Sequence, residues 1–251
     1  MQWEELRQVP DLAADEVHVW RAALDLGPAA LERAVAVLST DERRRAGRFR
    51  FAVHRDRFVA SRAVLRSVLG DYLNLSPAAV PLIAGPAGKP VLPPGRRAGV
   101  EFNLTHSGDR VLIAVTRGRS IGIDLERMRR GMPIERLAGR FFTPREAAEL
   151  RAVPAAVRPA AFFACWTRKE AVLKAAGGFE RGLPAALKGF VVSVAPPAAP
   201  GKTPGKTVVR TPGSMGQGQH WTLIDLAVGR GYAGALAVEG RPQLRLFEWV
   251  A

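Results

Sequence analysis

Apolar and polar residues alternate along Val17-His18-Val19-Trp20-Arg21-Ala22, a period of two that predicts a first strand. Ser39-Thr40-Asp41-Glu42 has the form of a capping box, with Ser at the N-cap and Glu three positions on, and predicts an arginine-rich helix from Asp41. Phe58, Leu65, Val68 and Leu69 then fall on one side of a helix over about 55–69, with Gly70 as its expected stop. Beyond a Pro/Gly loop, 101–105 and 110–116 are predicted strands joined through the tight-turn sequence Ser107-Gly108-Asp109, and 120–126 is a third. Thr143-Pro144-Arg145-Glu146 is a second capping box, with proline at the first helical position, where its missing N–H does no harm. A helix over 160–176 ends at Gly177-Gly178. Residues 195–218 hold five Pro and five Gly, which predicts a mobile loop. The segments 222–228, 234–238 and 244–249 return to strand patterning.

The pattern repeats. The capping box at 39–42 matches that at 143–146, and the stretch from Phe58 to Arg66 parallels that from Trp166 to Lys174. Ala-Val-Leu is identical in both, Arg66 falls opposite Lys174, and a glycine follows four residues later in each (Gly70 and Gly178). Matching caps and stops favour duplication over chance likeness of two amphipathic helices. The predicted fold class is therefore α+β, with two similar lobes (1–118 and 119–251) related by a pseudo-twofold. Each is a small, mainly antiparallel sheet packed with helices, and the interface is the expected ligand site. The lobes differ chemically, because Arg62 stands where the second has Glu170.

Composition narrows the class. The 251 residues are 47% hydrophobic and 24% charged, which excludes a wholly disordered chain. The single cysteine, Cys165, excludes an internal disulfide and a cysteine-based zinc site. The longest uncharged run, Tyr72 to Gly88, is broken by Pro77, Pro81 and Pro86, so no membrane span is expected. The chain opens on Glu4 and Glu5 rather than a signal sequence, and a soluble cytoplasmic protein is the expectation. A net charge of +14 points to polyanionic partners: nucleic acid, a phosphorylated cofactor or an acidic protein. Most of that charge is arginine. Lysines are so few that Lys169 and Lys174, five apart, stand out as places where a compact ammonium suits the chemistry.

Asp124 and Glu126, two apart on a strand, leave the same face and suit a hard cation such as Mg²⁺; alternatively they are a solvated strand end. Glu170 shares a stripe with Phe163, Trp166 and Leu173, and a carboxylate on a buried face must be paired, metal-bound or protonated. Lys174, one turn later, supplies a partner. His106, at the end of its strand, is either structural or a phosphate contact. Arg43, Arg44, Arg45, Arg48 and Arg50 are either a solvated helix face or a phosphate clamp.

Five blocks in order carry a resemblance: Gly88-Lys-Pro, Phe102-Asn-Leu-Thr-His-Ser-Gly-Asp109, Ile121-Gly-Ile-Asp-Leu-Glu126, Arg140-Phe-Phe-Thr-Pro-Arg-Glu146 and Trp166-Thr-Arg-Lys-Glu-Ala-Val-Leu-Lys174. From about Arg43 to Gly178 the chain resembles the two-lobed, Sfp-type 4′-phosphopantetheinyl transferases. Thr105 replaces a commoner Ser and keeps the hydroxyl. The resemblance implies Mg²⁺-dependent transfer of the phosphopantetheine arm of coenzyme A to a serine of an acidic apo carrier protein, releasing 3′,5′-ADP, by a monomer. It leans toward polyketide or nonribosomal peptide synthase carriers. By position, Asp124, Glu126 and Glu170 would hold the metal, with Glu170 also the base. Lys174 would neutralise the leaving phosphate and His106 would meet the pyrophosphate. Arg45, Arg48, Lys89, Thr105 and Lys169 would bind the coenzyme. Glu146 is either functional or spent in its capping box. Two other readings stand beside it: a metal-dependent nuclease built on Asp124, Glu126, Glu170 and Lys174, and a non-catalytic coenzyme A-binding relative. Few aromatics and no nucleic-acid motif weigh against the first.

Overall fold

The structure, a computed structural model, describes residues 2–6, 9–85, 88–95, 99–177, 183–196, 206–210 and 220–250. The chain forms two compact units, Gln2–Gly118 with Leu244 onward, and Arg119–Gln243. In the first lie β1 (Glu4–Leu6), β2 (Glu16–Ala23), α1 (Pro28–Ala36), α2 (Thr40–Ala46), α3 (Ala52–Leu73), the short hairpin β3 (Ile83–Ala84) and β4 (Pro90–Val91), β5 (Val100–Ser107) and β6 (Arg110–Arg117). In the second follow β7 (Ile121–Arg127), α4 (Ile134–Phe141), α5 (Pro144–Ala152), α6 (Arg158–Ala175), α7 (Leu183–Lys188), β8 (Lys206–Arg210), β9 (His220–Asp225) and β10 (Tyr232–Glu239); β11 (Gln243–Trp249) comes last.

The same topology occurs twice. β2 pairs antiparallel with β6 and β6 with β5; β7 pairs antiparallel with β10 and β10 with β9. Between first and second strand of each set the chain inserts a helix, a short capped helix and a long helix. Both capping boxes are present: Ser39 and Thr143 each accept from the backbone N–H three residues on, and Glu42 and Glu146 each accept from the N-cap N–H. The sequence echo is thus an echo of architecture, and α+β is the fold class.

Three sequence expectations need correction. Gly70 does not stop α3, which runs on to Leu73 and closes on Asn74 in the left-handed region (φ 54°). Gly70 serves close chain approach instead, since a Cβ there would lie 2.7 Å from the carbonyl oxygen of Leu75. Within the expected loop 195–218, Lys206–Arg210 is a strand paired with β9, because the β-branched run Thr207-Val208-Val209 outweighs the flanking Pro and Gly; residues 197–205 and 211–219 lie outside the described residues. The last strand does not stay with the second lobe. In β11, Phe247 is fully buried against Trp20 (ring centroids 4.6 Å apart), and the strand lies between β1 and β2 in the first sheet. The aromatic side chain has its apolar partners there, and burial follows the partner rather than the chain order. α1, α4 and α7 were not expected from the pattern.

Each unit has its own core. In the first, α3 packs Ala60, Val64, Leu65 and Val68 on Trp20, Ile113 and Val115 of the sheet. In the second, Phe142, Phe162 and Phe163 pack with Ala171, Val172 and Trp221. Among the described residues no helix is long and apolar enough to cross a membrane.

Candidate functional site

The acidic set of the second unit is assembled by a helix laid directly on a strand. On β7, Gly122, Asp124 and Glu126 alternate onto one face. A methyl group at Gly122 would overlap the Ala171 carbonyl oxygen and the Ala175 amide nitrogen, and would sit 2.9 Å from the Lys174 carbonyl carbon. Small residues continue this on the neighbouring strand, where Ala235 stands opposite Asp124 and Ala233 opposite Glu126. Backbone therefore meets backbone, and the side chains of α6 arrive beside those of β7. Lys174 Nζ donates to Asp124 Oδ1 at 2.6 Å and to the Ile123 carbonyl at 3.2 Å.

Glu170 and Asp124 are buried, at 8% and 5% exposure. Burial is the main force that pushes the Glu170 carboxyl up to about 7; the charges of Asp124 and Glu126 push it further and Lys174 draws it back. The three carboxyl groups bring oxygen donors and negative charge together in a poorly solvated place. Anionic oxygen donors are the chemistry that a hard divalent cation takes, so the donor set fits Mg²⁺ in atom type and charge. Among the described residues, no group of three or more His, Cys, Asp or Glu is gathered closely enough to enclose a metal ion.

Lys169 is placed elsewhere, and its expected role in binding the coenzyme is corrected. Its ammonium is fully buried, donating to both oxygens of Glu146 (2.7 and 2.8 Å) and to the Phe190 carbonyl (2.7 Å). A group with no exposed surface and three protein acceptors has nothing left for a ligand. Glu146 in turn accepts from Thr143 N–H and O–H and from Val192 N–H. Adjacent positions on a helix point about 100° apart, so one step in sequence separates a residue of the core from one of the site.

The first unit carries a cationic set. A cavity of about 590 Å³ is lined by Asp41, Arg44, Arg45, Arg48, Phe49, Ala84 and Gly88. Arg45 donates to the Gly88 carbonyl at 3.2 Å, which ties α2 to the β3–β4 hairpin that also carries Lys89. Of the arginine run, Arg44, Arg45 and Arg48 reach this cavity. Arg43 instead donates to the Leu38 carbonyl, and Arg50 lies over the Phe51 ring. Thr105 is buried and His106 exposed, as successive residues on β5 require when they leave opposite faces.

Sequence reasoning named Arg44 only within the arginine run and Arg62 only as the counterpart of Glu170, and it missed Phe49. Arg62, at 7% exposure, lies over the Phe58 ring that Arg45 also covers, and its buried Nη1 has no hydrogen-bond partner among the described residues. Burial, with Arg45 and Arg66 nearby, lowers its pKa to about 10. The signal was present: Arg62 is the echo position of Glu170, a charge of opposite sign on the same turn of the duplicated helix.

Comparison with known proteins finds family matches over both parts of the chain. Residues 26–118 match the family described as 4′-phosphopantetheinyl transferase, N-terminal, and residues 120–213 match the 4′-phosphopantetheinyl transferase superfamily. The 4′-phosphopantetheinyl transferase HetI of Nostoc sp. is 40% identical over 91% of this chain and 90% of its own length. A 4′-phosphopantetheinyl transferase of Bacillus subtilis is 31% identical over 64% of this chain and 68% of its own. AcpT of Escherichia coli, another such transferase, is 36% identical over 49% of this chain and 59% of its own. Neither the nuclease reading nor that of a non-catalytic relative finds support in these matches, and the chain belongs to the 4′-phosphopantetheinyl transferases.

Proposed function

We propose that the protein, acting as a monomer, moves the phosphopantetheine arm of coenzyme A onto a serine of an acidic carrier protein of polyketide or nonribosomal peptide synthesis, with Mg²⁺, and releases 3′,5′-ADP. The carrying observation is the acidic set, where Glu170 is buried with Asp124 and the Lys174 ammonium is bonded to Asp124. A carboxylate placed there can accept the proton of an incoming serine hydroxyl. In this reading the serine oxygen bonds to the phosphorus that bears pantetheine, its proton passes to Glu170, and the bond to the ADP phosphate breaks. Lys174 offsets charge on the departing phosphate, and His106 holds the pyrophosphate. Mg²⁺, held by Asp124, Glu126 and Glu170, would supply charge neutralisation at the pyrophosphate. A net charge of +14 favours steering of an acidic partner. The test is the intact mass of an apo carrier incubated with coenzyme A and the protein. One phosphopantetheine unit should be gained with Mg²⁺ and none with chelator; an unchanged carrier in both would remove the proposal.

Arg45, Arg48, Lys89 and Thr105 are assigned to the nucleotide end, and the cavity's three arginines suit a phosphate through bidentate hydrogen bonds. Arg48→Ala should therefore weaken coenzyme A binding about 10-fold or more while changing dephospho-coenzyme A binding little. Calorimetric titration of both ligands decides this, and equal losses would detach Arg48 from the 3′-phosphate.

A further inference from the structure

Arg168, Lys169 and Glu170 follow one another at the middle of α6 and leave it in three directions. Arg168 grips Asp225 of β9 with two hydrogen bonds (2.8 and 2.5 Å) and donates to the carbonyls of Ser193 and Ala195. Lys169 is locked to Glu146 of α5 and to Phe190, over whose ring it also sits at 4.6 Å. Glu170 alone of the three faces Asp124, Glu126 and Lys174. Burying an ammonium and a carboxylate together is a poor way to gain stability, because desolvation consumes most of the attraction. A buried pair is directional, however, and this one fixes how α6 is turned about its own axis.

We infer that Lys169 and Glu146 are positioning residues that set the rotation of α6, and through it where the Glu170 carboxylate stands relative to Asp124 and Glu126. A carboxylate rides about 6 Å from the helix axis, so a turn of about 10° carries it about 1 Å. Misplacement by 1 Å at a reacting centre costs on the order of 100-fold in rate. Glu146 fits the role because it collects Thr143 of its own capping box, Lys169 of α6 and Val192 beyond α7 into one buried point. The lysine is thereby separated from the substrate, and its effect reaches the chemistry only through Glu170.

The inference rests on the reading of Asp124, Glu126 and Glu170 as a cation site, and its test separates the two. Lys169→Met keeps the aliphatic stem and leaves Glu146 its three other donors. Mn²⁺ binding followed by electron paramagnetic resonance, melting temperature, and kcat and KM for coenzyme A are measured on the full chain. The expected result is a folded variant, assayed well below its melting temperature, with kcat down about 10- to 100-fold, Mn²⁺ affinity down about 10-fold and KM for coenzyme A unchanged. Unchanged kcat and Mn²⁺ affinity would make the pair purely structural and overturn the inference. A rise in KM for coenzyme A with kcat intact would do so too, by placing Lys169 on the substrate. A wild-type protein that binds no Mn²⁺ would overturn the cation-site reading itself, and the positioning role with it. Should Lys169→Met fail to fold, Glu146→Gln conserves volume and part of the acceptor set, and the same split between kcat and KM is expected of it.

Discussion

Glu170→Gln is expected to abolish transfer, lowering kcat by about a thousandfold or more, while leaving the protein folded. The amide conserves volume but neither accepts the serine proton nor contributes charge to the acidic set, and loss of a general base alone costs about 10² to 10⁴ in rate. The same substitution should raise stability in metal-free protein. The wild-type carboxyl is raised from 4.5 to about 7 in the folded state. The folded state therefore holds its proton more tightly than the unfolded chain, and stability falls as pH rises from about 4.5 to 7. At pH 8 nearly the whole cost is present, about 3 kcal/mol at 1.36 kcal/mol per unit, and glutamine removes it. Urea unfolding in the presence of chelator should find Glu170→Gln more stable than wild type at pH 8, with the difference shrinking toward pH 5. A variant that is less stable at both pH values would identify Glu170 as a structural ion-pair residue.

Gly122→Ala should be the most damaging single methyl in the second unit. Its Cβ overlaps main-chain atoms of Ala171 and Ala175, and these are helix backbone that cannot swing aside as a side-chain tip does. α6 must then lift from β7, which opens the core and carries Glu170 and Lys174 away from Asp124. Overpacking in a core costs about 1–3 kcal/mol where neighbours can adjust; here the expected loss is at or above the top of that range, with activity lost at temperatures where wild type is stable. Gly139→Ala is the control. It lies in α4 with nothing within 4 Å of its would-be Cβ, so it should be neutral or stabilising by about 0.5–1 kcal/mol. Thermal unfolding of the two variants beside wild type checks the contrast. A tolerated Gly122→Ala would mean that α6 is not seated by backbone contact.

Much of this protein is written in local pattern. Both capping boxes, the turn at Gly108-Asp109 and the strand-forming runs of β2, β5, β6 and β7 depend on residues within a few positions of one another, and the chain alone determines them. The acids were legible for the same reason, since Asp124 and Glu126 share a strand face by parity and Glu170 occupies an apolar stripe by helical spacing. What a charge does once formed is not local. Lys169 and Lys174 look alike in sequence, yet one is buried against Glu146 and the other reaches Asp124, because their fates depend on which elements α6 lies against. Tertiary contact also decided that β11 joins the first sheet, that 206–210 pairs as a strand, and that Arg44, Arg45 and Arg48 line a cavity while Arg43 does not. A periodicity specifies which side of an element is apolar. It does not specify what that side will meet, since burial and pairing free energies belong to both partners, and one of them lies elsewhere in the chain.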